Sequence, residues 1–375
     1  MSVLPWSLLP DNATVGDRGQ LLIGGCDTLE LAAEYGTPLF VYDEAHLRER
    51  CRQAVAAFGD GAVYATKAFL CLAMARLAHE EGMRLDVATE GEALVALHAG
   101  VPAERLVFHG NNKSPAELEM ALDSGVGRLV VDGFDELDRI ESLVAAGHPA
   151  PRVFLRVAPG VEAHTHEYLA TGQDDSKFGF TVANGDAARA VERVLGSKAF
   201  DLRGLHSHIG SQVYRVESYA EALRTVAGFA APFGLPELSI GGGLGVAYVE
   251  GENAPGITEW AETLKAAAAA LDLRSMLWAE PGRAIVAAAA VTLYRVGSIK
   301  EIPGVRSYVA VDGGMSDNPR PVLYGSGYEA FLPRAVTADR TRLVRVVGKH
   351  CESGDVLIRD GFVTADLRVD DLLAT

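Results

Sequence analysis

Between about residues 60 and 280, short β-branched or apolar runs alternate with longer amphipathic, alanine-rich runs, eight times over. Such alternation of period-2 and period-3.6 patterns implies βα units and a parallel sheet, because parallel neighbours need a crossover helix. The predicted strands are 62–66, 84–87, 105–108, 128–131, 152–157, 201–207, 237–240 and 275–279. Helical patterns fall between them, for example at 70–81, 90–99, 115–124 and 135–146. Ser114-Pro115 is a cap followed by proline at the first helical position, and Gly100 and Gly147 sit where two helices should stop. Eight units over about 220 residues fit a closed (β/α)8 barrel, with an open doubly wound sheet as the competing arrangement. After about Arg283 the helical patterns give way to β-type runs at 287–296, 307–311, 341–347 and 355–358, which predict a second, mostly β domain. The expected division is 1–37 as an N-terminal segment packing with the β domain, 38–283 as the barrel and 284–375 as the β domain. The opening 40 residues are also candidates to lend the barrel a strand. The stretch from Ala158 to Phe180 is too long for a simple connection and is a candidate active-site loop.

Charge narrows the classes of partner. The 375 residues carry 34 Lys plus Arg against 50 Asp plus Glu, a net charge of −16. Nucleic acid is therefore not expected as a partner, since phosphate-backbone binding needs a basic surface. The longest strongly apolar run, 284–294, falls well short of the roughly 18 residues of a membrane helix, so no membrane partner is expected. The N-terminus lacks a signal-peptide layout, and the four cysteines (Cys26, Cys51, Cys71 and Cys351) show neither CxxC nor zinc spacing. A cytoplasmic enzyme with reduced thiols is expected.

In barrels the chemistry sits at the C-terminal ends of the strands. There this chain carries Lys67, Asp86, His109, Asp132, Arg156, His208, Gly241-Gly242-Gly243 and Glu280. Lys67 has the bland reading of a solvated strand-end lysine. Its neighbours Val63, Ala65, Ala68 and Phe69 predict instead a desolvated amine able to attack a carbonyl. His206 and His208 share a face by strand spacing, but the sequence offers no third ligand, so no metal is expected. Three consecutive glycines after the seventh strand expose backbone N–H groups to an anion, where a simple turn would need only one. The pattern is neither GxGxxG nor a P-loop, which points to a monophosphate. Glu280 beside that run suits a pyridine nitrogen, which a carboxylate keeps protonated. Lysine, glycines and glutamate together suggest pyridoxal 5'-phosphate.

The motifs VYATKAF, FHGNNKS, HTHEYLATGQDDSKFGF, HSHIGSQ, SIGGGLG, AEPGRAIVA, VDGGMSDNPRPVLYG and KHCESGDVL closely resemble, in order, those of the diaminopimelate decarboxylases. That family belongs to the fold-type III pyridoxal-phosphate decarboxylases, with an alanine-racemase-like barrel. The resemblance implies decarboxylation of meso-2,6-diaminopimelate to L-lysine and CO2, the last step of lysine biosynthesis. It places the cofactor lysine on Lys67 and the ring-stacking histidine on His208. Asp86, Ser211, Gly241, Gly242, Gly243, Glu280 and Arg283 would also hold the cofactor. Arg283, Arg320 and Tyr324 would hold a substrate carboxylate, Glu352 would recognise the distal ammonium and Cys351 would protonate the carbanion. Cys351 and Glu352 reach the site from the other subunit in this family, which implies a homodimer.

In one respect the chain departs from the pattern. The family continues into a Gly-Ala-Tyr segment, whereas this sequence stops at Asp371-Leu372-Leu373-Ala374-Thr375. The β domain is therefore expected to be incomplete, and a shortened paralogue with impaired activity is one alternative. A decarboxylase of ornithine, lysine or arginine is another, although it should lack the arginines for a distal carboxylate. An amino-acid racemase would carry a tyrosine in place of Cys-Glu-Ser-Gly, and a non-catalytic binding protein would have no reason to keep Lys67, His208, Glu280 and Cys351 together.

Overall fold

The computed structural model describes residues 3–160 and 176–375, so the HTHEYLATGQDD part of the candidate loop lies outside the described residues. The chain forms two compact units. One takes in the described parts of Met1–Leu47, Ala247–Asn253 and Ala287–Thr375; the other comprises Arg48–Val246 and Ala254–Val286.

The second unit is the barrel. In chain order its elements are α1 (Glu44–Phe58), β1 (Val63–Ala65), α2 (Leu72–Glu80), β2 (Arg84–Val87), α3 (Glu90–His98), β3 (Leu106–Phe108), α4 (Pro115–Ser124) and β4 (Arg128–Val131). There follow α5 (Phe134–Ala145), β5 (Arg152–Ala158), α6 (Asp186–Gly196), β6 (Asp201–His206), α7 (Val216–Ala230), β7 (Glu237–Ser239), α8 (Ile257–Ala270) and β8 (Met276–Trp278). The strands pair in parallel in sequence order, and a parallel bridge from Ala62 to Ala279 joins the first to the last. Of the two arrangements the alternation allowed, the closed barrel is the one that forms. Its interior is filled by Val63, Val107, Val130, Phe154 and Trp278, all fully buried. Small residues allow the wall to close: a β-carbon at Gly61 would overlap the carbonyl oxygen of Leu277, and one at Gly204 that of Glu237. The helix ahead of the first strand completes the outer ring. Phe58 of α1 meets Trp260 of α8 edge-on at 5.4 Å, and Arg48 and Arg52 of α1 pair with Glu81 just beyond α2. The α4 cap follows the sequence closely, since Ser114 and Glu117 form a reciprocal capping box ahead of Pro115.

In the other unit, β9 (Ala290–Ile302), β10 (Arg306–Val311), β11 (Arg342–Val347), β12 (Val356–Val363) and β13 (Leu372–Ala374) lie in the sheet order β12-β11-β10-β9-β13. Its core is built from Tyr294, Val296, Val309, Val311, Leu332, Val344, Val346 and Leu357. The opening residues do supply a strand, but not to the barrel. Leu39–Tyr42 pairs antiparallel with β9, Leu39 opposite Leu293 and Tyr42 opposite Ala290. The reason is the barrel's own closure: β1 already has β8 as its neighbour, so no free edge remains there.

Candidate active site

The strand order sets which side chains can meet. Hydrogen bonds from Ala65 N–H to the Pro281 carbonyl and from Glu280 N–H to the Gly241 carbonyl tie the ends of β1, β7 and β8 together. A β-carbon at Gly282 would press on the carbonyl oxygen of Ala65. Lys67, the glycine run, Glu280 and Arg283 therefore emerge from adjacent strand ends.

Glu280 is the centre of the site. It is 5% exposed, and its carboxylate accepts hydrogen bonds from His206 Nε2 at 3.0 Å and Ser239 Oγ at 2.8 Å. His109 Nε2 lies 3.6 Å from the same carboxylate and 3.9 Å from Asp86. Burial by itself would raise the pKa of Glu280. The charges and hydrogen bonds of His206 and His109 outweigh it and hold the carboxyl well below the ordinary range. His206 is fully enclosed, and burial holds its imidazole down at about 4, so it donates as the neutral ring. Burial likewise opposes protonation of His109, but the Asp86 and Glu280 carboxylates override it and raise the pKa. Asp86 is shifted up, first by burial. The site thus holds an ionised Glu280, a neutral His206 and a proton-favouring His109 within a few ångströms.

His208 follows β6, half-buried, and its Nδ1 accepts the N–H of Gly242 at 3.2 Å. That nitrogen therefore carries no proton, in keeping with a pKa depressed by burial and by the Lys67 and Arg156 cations. The glycine run proves to have a second purpose. Gly241 N–H donates to Ser239 Oγ and Gly242 N–H to His208, so two of the three amides already have partners. What excludes side chains here is close packing. A β-carbon at Gly242 would overlap the Glu280 carbonyl oxygen, and one at Gly243 that of Gly210, while Gly241 and Gly243 have φ of +67° and +98°. Val213 N–H donates to the Gly243 carbonyl at 3.0 Å, and Gln212 bonds both backbone groups of Val246. These bonds bring the loop carrying Ser211 against the glycine loop.

Lys67 corrects one expectation. It lies in a 3₁₀ turn, Thr66–Ala68, beyond the end of β1, and its side chain is exposed rather than desolvated. The apolar neighbours that suggested burial do their packing elsewhere: Val63 and Ala65 are buried in the barrel wall, while Ala68 is exposed like Lys67. The strand ends before the lysine, and the turn carries it out of the wall.

Three residues that the sequence singled out but gave no part in the expected site belong to this cluster: His109, His206 and Arg156. Arg156 is 8% exposed, lies over the Phe178 ring at 4.1 Å and stands 4.0 Å from Asp132. The signal for His109 and Arg156 was their position at strand ends; for His206 it was the spacing to His208. The sequence offered no third ligand beside the two histidines. In space, however, His109, His206 and Glu280 bring their ligand atoms within 4.8 Å of one another.

Arg320, Tyr324, Cys351 and Glu352 fall in the β unit. The Arg320 guanidinium lies 5.6 Å from the Tyr324 ring and 5.2 Å from that of Tyr248, donates to Ser326 Oγ at 3.0 Å, and keeps a buried Nε without a partner among the described residues. Cys351 and Glu352 are exposed on one turn, where the Glu352 carboxylate accepts from Gly354 N–H at 3.2 Å.

A lysine on a strand-end turn, a buried ionised carboxylate and a glycine-walled loop define a class: barrels that bind pyridoxal phosphate. The donor set fits that group. Buried polar atoms without hydrogen-bond partners among the described residues (His206 Nδ1 and Ser207 Oγ) lie at the end of β6, beside Glu280. Comparisons with known proteins agree with the class. Residues 44–287 match the family model described as pyridoxal-dependent decarboxylase, pyridoxal binding domain. A diaminopimelate decarboxylase of Halalkalibacterium halodurans is 46% identical over 92% of this chain and 82% of its own length. One from Bacillus subtilis is 45% identical over 95% of this chain and 85% of its own. The crystal structure of a diaminopimelate decarboxylase from M. jannaschii in co-complex with L-lysine superposes with a TM-score of 0.88 at 31% identity, covering 97% of this chain and 87% of that one. The chain belongs to the diaminopimelate decarboxylase family.

Proposed function

We propose that this chain uses pyridoxal 5'-phosphate to decarboxylate meso-2,6-diaminopimelate to L-lysine and CO2, the last step of lysine biosynthesis, and that it works in the cytoplasm as a homodimer. The observation that carries the reading is the buried, ionised Glu280, held by His206 and Ser239 on a strand end next to that of Lys67. Bound there, the cofactor supplies an electron sink for the pair left when CO2 departs, and a carboxylate at its ring nitrogen keeps that sink strong.

Each residue then has a task. Lys67 carries the cofactor. His208 offers its neutral ring face, fixed by the Gly242 N–H. Ser211, Gly241, Gly242, Gly243 and Arg283 hold the phosphate side, and Asp86 sets the charge of His109. Arg320 and Tyr324, with Arg283, bind the substrate's distal carboxylate, for which a guanidinium's paired N–H groups are suited. Glu352 takes the distal ammonium. Cys351 delivers the proton to the carbon that has lost CO2, acting as a positioned general acid. We assign Cys351 and Glu352 to the barrel of the partner subunit, on the strength of the family resemblance.

The test is direct. The purified protein should absorb as a cofactor-linked lysine does, and borohydride should abolish the band; Lys67→Ala should lack it. Carbon dioxide should be released from meso-diaminopimelate and not from ornithine or lysine. Release from ornithine alone would overturn the substrate assignment, and a colourless wild-type protein would overturn the cofactor assignment.

A further inference from the structure

Asp355 is a buried carboxylate that the roles above leave unused. It is 2% exposed, at the end of the turn that carries Cys351 and Glu352. Its two oxygens serve two different loops. One accepts the N–H of Met315 at 2.7 Å, from the loop that leads to Arg320; the other accepts the N–H of His350 at 2.9 Å, next to Cys351. Two glycines make room for it. A β-carbon at Gly348 would overlap Asp355 Oδ2, and one at Gly314 would lie 2.6 Å from the same oxygen. The loops are cross-linked again by Lys349 N–H to the Gly313 carbonyl at 2.9 Å and by Ser316 Oγ with His350 Nε2 at 2.9 Å. A carboxylate accepting backbone N–H groups makes charge-assisted bonds, roughly twice as strong as neutral ones. An aspartate with one loop on each oxygen therefore locks their relative position.

We infer that Asp355 is a positioning residue, which holds the Cys351–Glu352 turn in register with the Arg320 loop, so that one carboxylate sets both the groups this chain lends to its partner's site and the arginine it keeps for its own. The inference rests on the proposed roles of Cys351, Glu352 and Arg320. In the step it serves, the Cys351 S–H bond breaks, a C–H bond forms at the carbon that lost CO2, and the thiolate recovers its proton from solvent. Asp355 touches none of these atoms.

The test compares wild type, Asp355→Asn and Cys351→Ala as full chains. Asn keeps the shape but turns an N–H₂ towards one of the two amide donors, breaking that bond and, because Asp355 bridges the loops, the hold each has on the other. In cofactor-free protein, hydrogen exchange over 313–318 and 348–352 should quicken about tenfold, the loss of one hydrogen bond to a charged group. Exchange over β10 should not change. In loaded protein, kcat per bound cofactor should fall by about tenfold or more and KM for diaminopimelate should rise, as both loops loosen. A role confined to folding would lower the yield of loaded protein and leave both constants per bound cofactor intact. Unchanged exchange in either loop, or wild-type constants with both loops loosened, would overturn the inference. Cys351→Ala keeps the two outcomes apart: wild-type turnover in that variant defeats the proton-donor reading itself, whatever Asp355→Asn does. If Asp355→Asn does not fold, Gly348→Ala disturbs the same contact with the acid retained and should produce the same pattern.

Discussion

His206 shows how far a single residue's environment departs from its sequence context. Nothing in Leu205-His206-Ser207 distinguishes it from a core histidine, yet it is the hydrogen-bond donor that orients Glu280. Its depressed pKa makes a prediction with a definite sign. The unfolded chain takes up a proton at this residue near pH 6.5, while the folded imidazole refuses it until about 4. Over that window the unfolded state binds more protons, so this residue's contribution to stability falls as pH drops from 6.5 towards 4. In cofactor-free protein, His206→Asn should flatten the fall in the denaturant midpoint between pH 7 and pH 4.5. An equally steep fall in the variant would show that His206 is not its source.

The elements were legible to different degrees, for reasons that can be named. Pro115–Ser124 was readable to the residue because its signals are local: a Ser cap and Pro at the first position. The β-branched runs placed the barrel strands to within a residue or so at each end. The sequence read the glycine run for its openness to an anion; the structure adds that it is also packed against backbone. The reason is that its neighbours, Glu280 and Gly210, are distant in sequence. This packing predicts that Gly242→Ala, although conservative in size, costs about 1–3 kcal/mol through overpacking. Urea unfolding of the cofactor-free variant would measure it. A shift under 0.5 kcal/mol would mean that the β7–α8 loop yields to a methyl group.

For the whole barrel, stability and chemistry occupy opposite ends of the strands. At the N-terminal ends, Arg128 of β4 and Glu237 of β7 form a buried pair with Arg128 Nε 2.7 Å from Glu237 Oε2, and the guanidinium lies 5.2 Å from the Trp278 ring. Their partnership is invisible in sequence, 109 residues apart. Removing one partner leaves a buried charge uncompensated, so Arg128→Met should destabilise the protein by about 3–5 kcal/mol. Replacing both, as Arg128→Met with Glu237→Leu, should recover much of that loss. Thermal unfolding of Arg128→Met, Glu237→Leu and the double variant checks this, and additive losses would show that the two side chains act independently.

The sequence by itself determined the succession of elements, eight βα units followed by β strands, and the family resemblance, because periodicity, caps and short motifs are local properties of the chain. Lys67, Glu280 and Cys351 were candidates for the same reason: each sits inside a motif. Only the tertiary structure decided that Lys67 is exposed, that Leu39–Tyr42 serves the β sheet, and that His109 and His206 meet Glu280. Those outcomes depend on which strand ends become neighbours when the barrel closes. The distances involved, three to four ångströms between side chains up to 171 residues apart, are set by that closure and by no property of the local sequence.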